Sequence, residues 1–263
     1  VRRALAYIAA GDVYQVNLAQ RFVADRVDDA AGLFATLQRR HPMPFAAYLD
    51  AGDFTLVSNS PECFLWRDGD RIATLPIKGT RPRGTSDEAD ARLRADLLAD
   101  AKERAEHVMI IDLERNDLGR ICRSGTVAVP ERMRVETFPS LHHLESVVTG
   151  VLRPGVDLAA MLRATFPGGS ITGAPKIRAM EIIDELESGP RGFYTGAIGL
   201  LGPRQARLSI AIRTATIRDG RLEYLAGGGI VADSEPRREY EEILVKTQAF
   251  ARALGRPPAA SAA

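Results

Sequence analysis

Between residues 45 and 75 the chain breaks into four short runs, 45–50, 54–59, 62–66 and 71–75, separated by Gly, Asp and Pro. Each is too short for a stable helix and is closed by turn residues, which is the pattern of an antiparallel meander. A parallel neighbour would need a crossover of a dozen or more residues between successive strands, and none is available here. The same habit recurs later, where 126–135, 143–152, 192–201, 207–217 and 221–226 read as strands, as does 13–22 near the start. Helical patterns cover 2–10, 30–40, 158–165, 174–187 and 235–254. The longest, 86–118, is expected to hold two helices ended by Gly119. Short strands interrupted by a few long helices predict an α+β fold built on antiparallel sheets, not a doubly wound parallel one.

With 263 residues, 45% hydrophobic and 26% charged, the chain can bury a substantial core as one domain, expected over 1–256 with a disordered tail at 257–263. A net charge of +1 gives no reason to expect nucleic acid or an acidic membrane surface as partner. No apolar run approaches a membrane span, and no signal-peptide pattern is present at the N-terminus. Cys63 and Cys122 make no disulfide framework and lack metal-ligand spacing, which suits a reducing cytoplasm.

Lys78 stands out because only four of the 35 basic residues are lysines, the rest being arginine. Lysine can act as a nucleophile when its proton is lost; arginine cannot. The flanking Pro76-Ile77-Lys78-Gly79-Thr80 places it after the strand at 71–75 and before a Gly/Pro-rich turn, so it is expected to project from the end of a rigid element. Two helical segments carry glutamates three residues apart, Glu103 with Glu106 and Glu239 with Glu242. On a helix each pair shares one face. Alone such a pair is a solvated face; meeting across a cleft, two of them would suit a hard cation such as Mg²⁺. Arg213, in an apolar run read as strand, suits bidentate carboxylate binding. Gly227-Gly228-Gly229, after a strand, could bring backbone N–H groups close to an anion, although a lone triple glycine is usually a turn.

The segment from Pro76 to Thr80 resembles the motif of the aminodeoxychorismate synthase branch of the chorismate-using enzymes; the related anthranilate synthase large subunits usually carry Ala where this chain has Lys78. The similarity runs from Gly11 to about Phe250. It implies two antiparallel sheets packed as a sandwich, helices outside, and an active site in the cleft between them. It implies magnesium held by Glu106 and Glu242, with Glu103 and Glu239 behind them, and a carboxylate of chorismate on the metal. Glu62 matches the family's general acid, whose task is to protonate the departing C4 hydroxyl. His143 matches the histidine facing the substrate ring, Ser170 the Gly-rich stretch near that ring, and Tyr194 and Lys246 positions that contact a substrate carboxylate. His41, His107 and His142 are taken as structural or surface residues.

Gln15 occupies the position where isochorismate and salicylate synthases place a lysine that activates water. Glutamine cannot be that base, so ammonia is the expected nucleophile. The implied activity is conversion of chorismate and ammonia to 4-amino-4-deoxychorismate through a covalent Lys78 adduct. That role requires the lysine pKa to fall well below its usual value of about 10.4. Neither cysteine sits in a nucleophile-elbow context, so ammonia is expected from a separate glutamine amidotransferase. The alternatives are an anthranilate synthase large subunit and a chorismate-binding fragment without turnover. The latter is motivated by a chain that starts at Val1 inside a helical pattern, where the resembling synthases are longer.

Overall fold

The computed structural model describes residues 1–139 and 141–255; the tail expected at 257–263 lies outside the described residues. The helices are α1 (Arg2–Ala9), α2 (Ala30–Arg40), α3 (Asp87–Ala99), α4 (Ala101–Gly119), α5 (Leu158–Thr165), α6 (Lys176–Leu186) and α7 (Pro236–Ala253). The strands are β1 (Gln15–Ala24), β2 (Phe45–Asp50), β3 (Thr55–Ser60), β4 (Cys63–Asp68), β5 (Arg71–Leu75), β6 (Ile77–Pro82), β7 (Ala128–Thr137), β8 (Leu141–Val151), β9 (Gly173–Ala174), β10 (Ala197–Leu201), β11 (Gln205–Ile210), β12 (Thr214–Arg218) and β13 (Arg221–Ile230). All the pairings are antiparallel, so the α+β reading with two antiparallel sheets and helices holds.

The chain forms two compact units. The first comprises Val1–Pro61, Ile171–Gly196 and residues 211–255. Its six-stranded sheet runs β2-β3-β12-β13-β1-β9. Helix α2 starts where the Asp29 carboxylate accepts from the Gly32 N–H, and it ends on Arg39 and Arg40, which complement the C-terminal dipole. Its buried Leu33 and Leu37, four apart, pack with Val57, Ile217, Tyr224, Ile243 and Phe250. Each such leucine contributes about 2 kcal/mol of burial. A second cluster joins Ala4, Val13, Val16, Ile182 and Ile230.

The second unit comprises Glu62–Ser170 and Ala197–Ile210. Its sheet runs β10-β11-β4-β5-β8-β6, with β7 also paired to β8. Strand β8 is the spine: β5 covers its C-terminal half (Arg71 opposite Val151) and β6 its N-terminal half (Lys78 opposite Leu144). Asp100 splits the long helical region. Extended at φ −64° and ψ 108°, it closes α3 and caps α4 by accepting from the Glu103 N–H. The buried face of α4 carries Glu106, Ile110, Glu114 and Leu118, four apart, with His107, Ile111 and Asp117. It mixes acid with apolar because α4 lies against β6 and β8.

Candidate active site

Lys78 lies inside a strand, not at the end of one as expected from sequence. The Gly/Pro-rich segment after it pairs with β8 as β6, and the register slips by one residue between Lys78 and Thr80. Gly79, at φ +77°, is the extra residue of this bulge; such bulges bend a strand and re-aim the side chain beside them. A Cβ on Gly79 would stand 2.8 Å from Leu97 Cδ1 and 3.3 Å from Glu103 Oε2, so the bulge also lets α3 and α4 close on β6. Lys78 Nζ is 2.7 Å from Glu106 Oε2, with side-chain exposures of 17% and 11%. Lys102 approaches the other oxygen of Glu106 at 3.8 Å. Glu103, one turn earlier, faces Arg81 at 3.8 Å.

Glu62 precedes β4 and is buried. Ser170 Oγ donates to its Oε1 at 2.6 Å. Burial raises its pKa to about 7, against the lowering effects of the Ser170 and Ile77 hydrogen bonds and of Lys78, and with a further upward push from Glu145. A carboxylic acid half-protonated near neutrality is what protonation of a poor leaving group requires. Glu145, one residue past the Lys78 register on β8, is itself buried and raised by burial, and accepts from Arg134 Nη2 at 2.5 Å.

His143 Nδ1 lies 3.0 Å from the Gly79 carbonyl and 3.0 Å from Thr80 Oγ1. The carbonyl can only accept, so Nδ1 carries a proton. Phe138 packs edge-on against the ring. His142 is held between Asp90 and Thr137. His107 is fully buried, 2.6 Å from Ser146 Oγ, and pushed down to about 4 by burial and by Lys78. His142 and His107 are both fully buried, and His41 is only partly buried.

The first unit holds the remaining candidates. Gly227, Gly228 and Gly229 do not form a turn: β13 continues through them, pairing with Ala19, Leu18 and Asn17 of β1. The Gly227 N–H is hydrogen-bonded to the Tyr194 hydroxyl, and its carbonyl accepts from Lys246 Nζ at 2.9 Å. Gly227 is needed for close approach: a Cβ there would stand 2.7 Å from Asn17 Oδ1 and 2.9 Å from Tyr194 Oη, whereas one on Gly228 would make ordinary contact with Glu239 Oε2 at 3.4 Å. Tyr194 lies in the turns before β10, outside the strand expected from residue 192. Its hydroxyl is pushed up to about 12 by burial. Arg213 is not within a strand either. The run 207–217 breaks into β11 and β12, which belong to different sheets, and Arg213 takes φ +48° in the link.

Gln15 is fully buried, and neither its amide nitrogen nor its amide oxygen has a protein partner; Asn17 Oδ1 is in the same position. Buried amides are nearly always hydrogen-bonded, so these atoms mark a place for polar atoms of water or a ligand.

Among the described residues no group of three or more His, Cys, Asp or Glu side chains could by itself hold a metal. The donor chemistry nonetheless fits a magnesium ion, which takes one or two carboxylates and completes its shell with water and substrate oxygens. Glu106 is a largely buried carboxylate already balanced by lysine cations. Glu242 pairs with Lys246 at 2.7 Å and is half exposed, whereas Glu239 is buried and accepts from Ser234 Oγ at 2.6 Å.

Residues 1–252 match the family described as chorismate binding enzyme. The chain belongs to that family. Among this chain's relatives, anthranilate synthase component 1 1 of Haloarcula marismortui is 49% identical over 94% of this chain and 51% of its own length. Aminodeoxychorismate synthase component 1 of Bacillus subtilis is 45% identical over 97% of this chain and 54% of its own. The crystal structure of anthranilate synthase component I from Streptococcus pneumoniae superposes with a TM-score of 0.87 at 40% identity, covering 95% of this chain and 55% of that one. The chain thus spans about half the length of the curated relatives it matches.

Four positions of this chain escaped the sequence reading. Thr80 and the Gly79 carbonyl orient His143, and both sit inside the Pro76–Thr80 motif. Glu145 is the one acidic residue of β8, but the strand also carries His142, His143, Ser146 and Thr149, so the charge does not stand out from an apolar run. Arg191 pairs with Glu187 at 2.6 Å, donates to the Ile171 and Asn17 carbonyls, and lies over the Tyr194 ring. Its surrounding sequence gives no local sign of that role.

Proposed function

We propose that the chain is the chorismate-converting part of an aminodeoxychorismate synthase, acting on chorismate and ammonia with Mg²⁺. The observation that carries the reading is a lysine on a bulged strand, 2.7 Å from a largely buried glutamate, in the same unit as a buried carboxylic acid held near pH 7. The covalent role needs Lys78 as the neutral amine. An adjacent carboxylate favours the charged form, so the Lys78–Glu106 pair must separate in the reacting complex. Nζ then bonds to C2 of chorismate while the C4–O bond breaks, and the hydroxyl leaves as water with the proton of Glu62. Ammonia adds at C4, the C2–N bond breaks, and Lys78 departs as an amine. The proton shed on each addition is returned to the departing lysine and to Glu62. His143, oriented by donation from Nδ1 to the Gly79 carbonyl, would face the substrate ring. Glu106 and Glu242, with Glu103 and Glu239, would hold the magnesium, which when bound neutralises a substrate carboxylate.

Ammonia would come from a glutamine amidotransferase subunit. Cys63 and Cys122 are both buried, with thiols pushed up to about 12 and about 11 by burial. A thiol held that far from ionisation is a poor nucleophile, so the chain is unsuited to glutamine hydrolysis.

A second reading is favoured by one observation: many of the relatives, including the 49% identical one, are named anthranilate synthase component 1. Product identity decides. The full-length protein is incubated with chorismate, Mg²⁺ and an ammonium salt. Aminodeoxychorismate that disappears in Lys78→Ala supports the proposal. Anthranilate refutes it in favour of the second reading. Chorismate binding without product would leave a binding chain and remove Lys78 as a nucleophile.

A further inference from the structure

A surface concavity of about 310 Å³ in the second unit is lined by Arg67, Arg123, Arg153 and Arg204, with Asp70 as its single acidic wall residue. None of these residues has a part in the chemistry above. They cluster because three turns converge at one end of the sheet. The β4–β5 turn carries Gly69 at φ +65° and donates its N–H to the Arg204 carbonyl at 2.9 Å. Arg153-Pro154-Gly155-Val156 closes with Val156 N–H on the Arg153 carbonyl, Gly155 at φ +80°; Pro followed by a positive-φ Gly is the pattern of a type II turn. The Gly202 N–H closes the third turn on the Gln205 carbonyl. The arginine backbones are therefore fixed before any ligand arrives.

Their side chains are partly fixed too. Arg67 donates Nε to the Gly69 carbonyl at 2.9 Å and turns Nη1 toward Met161 Sδ. Arg153 is tied through Nη2 to the Arg120 carbonyl. Arg123 reaches Asp70 only at 3.5 Å. The structure gives Arg204 no ion pair among the described residues; its Nη2 lies against Gly69. Four guanidinium groups against one loosely held carboxylate leave a positive concavity on a chain whose overall charge is close to neutral. Planar, permanently charged forks on a fixed frame match oxyanions with several oxygens. The concavity opens beside Leu152, at the far end of β8 from the Lys78 register at Leu144. That is about 25 Å along the strand at ~3.3 Å per residue.

We propose that this arginine concavity is a binding site for a small polyanion of the phosphate class, separate from the site around Lys78. The probe is inorganic pyrophosphate, titrated calorimetrically into the chain at 150 mM KCl. Saturable one-site binding is expected, weakened at least tenfold in Arg153→Gln/Arg204→Gln and weakened by added salt. It should change less than twofold in Lys78→Met, which distinguishes it from an anion entering the chorismate site. Arg123→Gln, a single exposed change, guards against misfolding of the double variant and should weaken binding several-fold. Absence of saturable binding to the parent chain overturns the proposal. So does affinity unchanged in both arginine variants, or lost in Lys78→Met.

Discussion

Replacing Glu62 with Gln tests the buried acid without presuming any reaction. Its pKa is raised from 4.5 to about 7, burial being the largest cause. Below pH 4.5 the carboxyl is protonated in both folded and unfolded chains, and there is no penalty. Between 4.5 and about 7 the unfolded chain ionises while the folded one keeps its proton, so stability falls as pH rises. Above about 7 both are ionised and the penalty is constant. At 1.36 kcal/mol per pKa unit it reaches about 3 kcal/mol at pH 8, against roughly 1 kcal/mol at pH 5. Glutamine has nearly the same shape, keeps an acceptor for Ser170, and does not ionise. Glu62→Gln should therefore gain about 2 kcal/mol relative to the parent between pH 5 and pH 8. Urea unfolding followed by the single tryptophan, Trp66 in β4, reads the same unit. A difference between the two proteins that does not vary with pH would refute the argument from burial. In the full-length enzyme the same group should give an alkaline limb near pH 7 in the rate of chorismate turnover, absent with the ~10²-fold slower Glu62→Gln.

Lys78→Ala should destabilise the chain by about 2 kcal/mol, below the range for a wholly buried pair because Lys102 remains near Glu106; Lys78→Ala/Glu106→Ala should cost less than the two single changes summed, as read by urea unfolding. Gly227→Ala places a Cβ against three oxygens within 3 Å, and should cost about 2 kcal/mol in thermal unfolding by overpacking, where Gly189→Ala, which meets only the Arg21 side chain at 3.9 Å, should not. Arg191→Ala takes the cation from the largely buried Glu187 carboxylate, which keeps only the Ala19 N–H, and leaves two carbonyls without their donor, and should cost about 3 kcal/mol in the same assay.

Helix α2, strands β2 and β5 and helix α5 were legible to the residue because their boundaries are set locally. Asp29 and Asp157 cap the two helices, and turn residues such as Gly52 and Gly69 close the hairpins. The failures come where a boundary is set by a distant partner. The run across 207–217 has no Gly, Pro, Asn or Asp to signal a break, yet the chain leaves one sheet and joins the other at Arg213. Alternation records which residues are buried, not which sheet buries them. The triple glycine misled for a related reason. Glycine signals a turn when it supplies positive φ, but at Gly227 it supplies room, and the groups that need it, Asn17 and Tyr194, arrive from elsewhere in the chain.

The two glutamate pairs show the limit most sharply. Glu103/Glu106 and Glu239/Glu242 have the same spacing on the same kind of element, and each looks like a solvated face. In α4 the later residue is largely buried and tied to Lys78; in α7 the earlier one is buried and tied to Ser234, while the later one is half exposed beside Lys246. Helical spacing places the two carboxylates of a pair on one face but does not say which of them turns inward. What distinguishes them is the partner. A carboxylate bound to a hydroxyl is already satisfied at little electrostatic cost, whereas one bound to a lysine is held in its charged form by a cation. Under the proposed function this favours Glu242 over Glu239 as a metal ligand; Glu106, which faces two lysines, and Glu103, which faces Arg81, both have cationic neighbours and differ instead in burial.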